Sequence, residues 1–369
     1  MRNAPLTPSS CRSAPYQAKS GWRHRSIGRA AIGLILLAAV ASPLLSHDAR
    51  ANERQLNLYS ARHYSSDNAL YAEFTRQTGI QIQQIQAGDE AILERIRSEG
   101  KASPADVILL ADAARLWKAQ SEGLFQPAGS ARLREAIPKG LQSDDLWFGL
   151  TTRARVIVYD KSRVKPEQVR NYMQLADPSM KGLLCARSGT HPYMLSLLAS
   201  IIEHHGEAKA EAWAKGVVAN LARTPRGGDT DQIKGVISGE CAVALTNSYY
   251  HVRLLKSPKQ DEREGAARLG YMWPDQAASG THINVSGGGI ARYAPHPEAA
   301  RRFLEFLASP AAQAQLANAN NEWPAVKNVA IDNQELKSLG TFKQESLPVS
   351  TIGRHQIAAA RIIDRSGWK

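Results

Sequence analysis

Between Asn52 and Gly123, extended segments and amphipathic helical segments alternate three times, and this confines the chain to an α/β architecture. QLNLYS (55–60) reads as a strand. Ser66 or Asp67 then starts a helix that carries Leu70, Tyr71 and Phe74 and stops at Gly79. IQIQQIQ (80–86) alternates with the period of a strand and is followed by a helix with Ile92, Leu93 and Ile96 on one face and Gly100 behind it. The apolar strand DVILLA comes next, then a helix with Leu116, Trp117 and Gln120 that ends at Gly123. Three βα units in succession predict a parallel, doubly wound sheet. Ligands of such sheets bind beyond the carboxyl ends of the strands, and His63-Tyr64 falls just past the end of the first.

WFGLTTRARVIVYDK (147–161) is extended without a strong turn, which suits a chain crossing from one lobe to another. A second series follows: the strand GLLCARS, three helices (192–205, 207–222 and 229–238), the strand CAVALTN, a helix begun by Tyr249-Tyr250, and LGYMWP. THINVSGGGIARY (281–293) reads as a second crossing strand. Its SGGGIA lacks the spacing of a phosphate loop and the helix that would have to open directly after it. Helices at 297–309 and 311–320 return to the first lobe. The expected division is therefore a first lobe of 52–150 with 281–330, a second lobe of 151–280, and a tail of 331–369, with a helix near Gln356 to Arg365, assigned to neither. Two crossings make a hinge, and the cleft between the lobes is where a ligand is enclosed.

The first 51 residues have the order of a secretory signal: Arg23, Arg25 and Arg29, an apolar run from Ala30 to Ala41, and Ala49-Arg50-Ala51 as a small-x-small cleavage site. The run is short for a membrane span, and no cysteine stands at the cleavage site to make a lipoprotein. Cleavage after Ala51 leaves 318 residues, enough for two separate cores, and lowers the net charge from +12 to +6. The basic balance is thus partly a targeting feature, and no basic block interleaved with aromatics remains to bind nucleic acid. Export to the periplasm lets the remaining cysteines, Cys185 and Cys241, form a disulfide; two buried thiols are the alternative. Two lone cysteines do not make a zinc or iron–sulfur site.

The chemistry of the chain concentrates in its tyrosines. Tyr249-Tyr250 in NSYYHVRLL, Tyr193 in THPYMLS and His63-Tyr64 in SARHYSS all stand where a strand gives way to a helix. A tyrosine pair at a helix start is by itself ordinary packing, but three such motifs at equivalent junctions point to one site. Phenolates are hard, anionic donors suited to a hard trivalent ion. Excess phenolate charge in a partly dry cleft calls for cations, and Arg153, Arg155 and Arg187 are near in sequence. His191 reads as orienting the loop before Tyr193. His282 stands as a weaker outer candidate, and His204-His205 before Gly206 reads as a helix C-terminus.

Through LNLYSARHYSSDNALYAEFTRQTGI, SPADVILLADAARLWKAQSEGLFQP, WFGLTTRARVIVYDK, NSYYHVRLL and ARIIDRSGWK, the chain resembles the ferric-iron-binding periplasmic proteins of ABC-type iron importers over essentially all of residues 52 to 369. The resemblance implies a two-lobe, type II periplasmic binding protein fold with Fe(3+) as bound ligand. It implies His63, Tyr64, Tyr193, Tyr249 and Tyr250 as metal ligands, an inner-membrane permease as partner, and a monomer that transforms no substrate. Some members add a carboxylate and a bound anion; no equivalent carboxylate is evident beside His63-Tyr64. Two rivals remain. One is a binding protein for an oxyanion or small organic anion held by the same arginines and helix N-termini. The other is a secreted iron enzyme or ferric reductase, against which stands the lack of a two-histidine, one-carboxylate set; a GxSxG elbow for hydrolysis is missing as well.

Overall fold

Among the described residues, eleven strands join in one mixed sheet whose two ends carry separate cores. The computed structural model describes residues 54–62 and 64–369; the leader with its cleavage site, and His63, lie outside the described residues. Strand β1 (Gln55–Ser60) pairs in parallel with β2 (Gln81–Gln86) on one side and β3 (Val107–Leu110) on the other. Helix α1 (Asp67–Thr78) connects β1 to β2, α2 (Asp89–Glu99) connects β2 to β3, and α3 (Ala113–Ser121) follows β3. β2 presents alternating glutamines and half-buried isoleucines, as an edge strand does, whereas β3 is wholly buried.

The long segment at 147–161 forms a single strand, β4 (Trp147–Tyr159), buried along all its 13 residues. Beyond it lie β5 (Leu184–Cys185), helices α4 (Pro192–His205), α5 (Glu207–Ala219) and α6 (Asp229–Ile237), and β6 (Val243–Asn247). Helices α7 (Ser248–Leu255) and α8 (Gln260–Arg268) and strand β7 (Gly270–Met272) follow. The second crossing is β8 (Ile283–Ala291). It runs antiparallel to β3 and to β4, so the parallel pairing expected of the successive βα units holds for β1 to β3 and for β5 with β6, while the crossing strands make the sheet mixed. The reason is topological: a strand returning from the other half without a crossover helix enters the sheet in the opposite direction. β4 is the shared element. Its first part, through Ala154, pairs with β8, and its last part, from Arg155 to Tyr159, pairs with β6 and β7.

The glycines of SGGGIA serve that crossing. A Cβ on Gly287, Gly288 or Gly289 would lie 2.4, 2.3 and 2.0 Å from a neighbouring carbonyl oxygen, so only glycine lets the strands approach this closely. Helices α9 (Pro297–Leu307) and α10 (Pro310–Asn320) return to the first half, where Phe303 and Leu304 pack with Leu56, Leu58 and Phe74. Strand β9 (Trp323–Pro324) then pairs with β4. The other core gathers Leu197, Leu198, Trp213 and Val243 with Ile362 and Trp368 from the tail. That tail belongs to neither half alone: α11 (Val349–Arg354) packs on α3, with Gly353 against Trp117, and α12 (Gln356–Ser366) packs on α4 and α5. Cys185 and Cys241 form a disulfide beneath α6, tying β5 to the approach to β6.

Candidate metal centre

Each tyrosine is delivered by a local device. Pro192 takes the first helical position of α4, and His191 Nδ1 accepts the backbone N–H of Tyr193 at 3.2 Å, so the residue read as orienting the loop caps the helix. α7 begins directly at the end of β6, which places Tyr249 and Tyr250 in its first turn at the carboxyl end of a strand. Tyr64 follows β1, and near it Arg62 reaches forward to Asp67 at 2.8 Å.

These elements bring the rings together. The Tyr193 and Tyr249 hydroxyl oxygens are 3.4 Å apart, although 56 residues separate them in the chain. The Tyr250 ring lies beside that of Tyr249, with centroids 4.1 Å apart, and the Tyr64 ring meets Tyr249 edge-on at 6.3 Å. Tyr64 comes from the first half of the sheet and the other three from the second, so the cluster bridges the two. Among the described residues no group of three or more His, Cys, Asp or Glu is arranged to hold a metal ion.

Burial, and then Arg153 and Tyr250 acting in opposite senses, push the Tyr193 phenol up to about 12. Burial also holds Tyr249 well above the usual phenol range, as do the neighbouring Tyr193, Tyr64 and Tyr250. Tyr64 is raised likewise, by burial and then by the Glu322 carboxylate. Without a cation Tyr64, Tyr193 and Tyr249 therefore stay protonated at neutral pH.

Four arginines lie over the rings: Arg62, 5.0 Å from the Tyr64 ring centre, and Arg153, Arg187 and Arg253. Buried Arg153 donates to Ser286 Oγ at 2.5 Å and to the Ala111 carbonyl, and its guanidinium sits 5.4 Å from the Tyr193 ring centre. Burial opposes its charge, yet Tyr193, Glu322, Tyr249 and Tyr64 together hold it above the ordinary arginine value. Arg187 also lies over Tyr193, at 5.3 Å. Arg155 is engaged elsewhere: it pairs with Asp229 at 2.5 Å and donates to Asn247 Oδ1 at 3.1 Å, fixing the strand end from which α7 starts. Arg253, which the sequence reading did not single out, lies over both Tyr249 and Tyr250, as its position one turn along α7 would have indicated.

Two expectations are corrected. A carboxylate does stand beside Tyr64. Fully buried Glu322 places Oε1 3.4 Å from the Tyr64 hydroxyl, while its Oε2 accepts from Thr151 at 2.8 Å and lies 3.5 Å from Arg62. It was invisible locally because 258 residues separate it from Tyr64. His282 is not an outer partner of the phenols; its Nδ1 bonds Glu345 Oε2 at 2.6 Å at the base of β8.

The sheet order, the shared strand and a cluster between two cores are those of a periplasmic-binding-protein fold, and residues 68–319 match the family of bacterial extracellular solute-binding proteins. Iron uptake protein A1 of Synechocystis sp. is 44% identical over 349 residues, covering 92% of this chain and 97% of that protein; iron uptake protein A2 of the same organism is 42% identical over 341 residues, with the same coverage. A Trichodesmium FutA (IdiA) structure in complex with iron and citrate superposes with a TM-score of 0.81 at 46% identity, covering 85% of this chain and 100% of that one. The Campylobacter jejuni ferric binding protein gives 0.81 at 40% identity with the same coverage. The chain belongs to the ferric-iron-binding periplasmic family of solute-binding proteins, whose members bind a solute and carry out no reaction on it.

Proposed function

We propose that this protein captures ferric iron between its two halves and delivers it to the membrane permease of an ABC-type importer. The donors are the phenolates of Tyr64, Tyr193, Tyr249 and Tyr250, joined by His63. The halves are the lobes 52–150 with 281–330 and 151–280, and the protein acts as a periplasmic monomer after cleavage following Ala51. The observation that carries this reading is the convergence of Tyr193 and Tyr249 hydroxyls at 3.4 Å beneath Arg153, with Tyr64 arriving from the opposite half. Hydroxyls brought this close under a buried guanidinium suit a cation that displaces their protons, since a trivalent ion drives phenol ionisation and the arginines offset the charge of four phenolates. The names of the relatives, iron uptake and ferric binding proteins, point the same way.

The oxyanion alternative has less support. Arg155 and the Asn247 backbone N–H are both taken by the Asp229 carboxylate, at 2.5 and 2.8 Å, which occupies the place an anion would need. Adding ferric ion to the iron-free protein produces a visible phenolate-to-iron charge-transfer band that saturates at one equivalent. A colourless titration with no bound iron rejects the assignment.

A further inference from the structure

Helix α4 presents Tyr193 at the head of a polar stripe. Tyr193, Ser196, Ser200 and His204 follow at intervals of three, four and four residues, the spacing of one helical stripe. The opposite side, with Met194, Leu197, Leu198, Ile201 and Ile202, is embedded in the core of the second half. The polar stripe instead meets the first half and the tail. Ser196 Oγ donates to both oxygens of Asp112, at 3.2 and 3.1 Å, and both residues are fully buried. Ser200 and His204 bond Glu345, which also bonds His282 at the base of β8.

Asp112 is built to receive that hydroxyl. It caps α3 by accepting the Ala114 N–H at 2.8 Å and accepts Asn284 Nδ2 at 2.6 Å, so its carboxylate is held within the first half before Ser196 is counted. Every neighbour is a donor, a role that an acceptor-only carboxylate satisfies and an amide does not. The adjacent Ala111 carbonyl accepts from Arg153, the guanidinium over Tyr193. One corner, at the end of β3, therefore grips both the first turn of the helix that carries Tyr193 and the cation above its ring. A polar contact between halves returns to water at small net cost, whereas an apolar one would resist separation.

We propose that Asp112 is a positioning residue for iron capture: its bond to Ser196 is made as the halves close and sets Tyr193 for the metal. This rests on the ferric-binding reading. Ser196→Ala removes only the crossing hydroxyl and leaves the cap and the Asn284 bond intact, and alanine suits a helix interior. The test uses the mature chain loaded with ferric ion. Decay of the charge-transfer band into excess chelator gives the release rate, and solution scattering gives the radius of gyration with and without iron. Ser196→Ala is expected to release iron about tenfold faster or more and to close less fully, and Ser196→Thr to restore both. The iron-free melting temperature should stay near that of the wild type. Asp112→Asn reports on the same bond from the other side and should also speed release. Unchanged release and scattering for Ser196→Ala overturn the proposal, as does a Thr variant as impaired as the Ala one, which would indicate packing rather than the hydroxyl. A wild-type protein that binds no ferric ion removes the functional reading and this inference together; an unaffected Ser196→Ala in an iron-binding protein removes this inference alone.

Discussion

A phenol held neutral by burial must give up its proton to bind a metal. With Tyr193 pushed up to about 12 and Tyr64 and Tyr249 well above their usual range, nearly all phenol at pH 7 is protonated, so loading releases protons and affinity falls as pH falls. Calorimetric titration with ferric ion in two buffers of different ionisation enthalpy should count three or more protons released per iron. Tyr249→Phe should remove one of them, shift the charge-transfer band and weaken binding by about 100-fold or more, beyond the tenfold to hundredfold common for partners outside the ligand set. An unchanged proton count in that variant would exclude Tyr249 as a donor.

At the scale of elements, α7 depends on the end of β6, and β6 is braced by β5, its parallel neighbour. β5 is only two residues long, and the Cys185–Cys241 disulfide ties it to the segment entering β6 across 56 residues. In the chain-entropy view a loop of that size contributes about 4 kcal/mol by restricting the unfolded chain. Replacing both cysteines with serine should lower unfolding stability by about 2–4 kcal/mol in urea, while the iron stoichiometry stays at one. Loss of iron binding from a variant that is still folded would mean the bridge shapes the site itself.

For the whole molecule, acid is the condition that tests how the two halves hold. Burial and then nearby arginines depress His191 to about 3, and burial and then Lys161 depress His251 to about 4. Both are neutral when folded and take up protons near 6.5 when unfolded. The stability they contribute is fully present above about pH 6.5 and is lost as pH falls through the folded values. Iron-free protein should therefore unfold at steadily lower urea concentrations from pH 6.5 to pH 4, and His251→Gln should flatten that slope. An equal slope in the variant would place the acid sensitivity elsewhere.

The chain by itself determined the βα units, the two crossings and the four described tyrosines, because these depend on local period, on glycine punctuation and on residues at strand-to-helix junctions. It also marked Cys185 and Cys241 as partners. It left the direction of β8 undecided, since a crossing strand has the same local pattern whichever way it enters the sheet. Arg153 and Arg155 illustrate the limit. Their spacing on β4 is the same as that of any two alternate residues, but β4 passes from one half to the other between them. Arg153 therefore serves the phenols, while Arg155 is consumed by Asp229. Glu322 beside half-buried Tyr64 and Asp112 beside buried Ser196 are pairings of groups 258 and 84 residues apart. Only tertiary structure decides such contacts, because the cost of burying a polar group is met by whichever partner the packed halves bring to it.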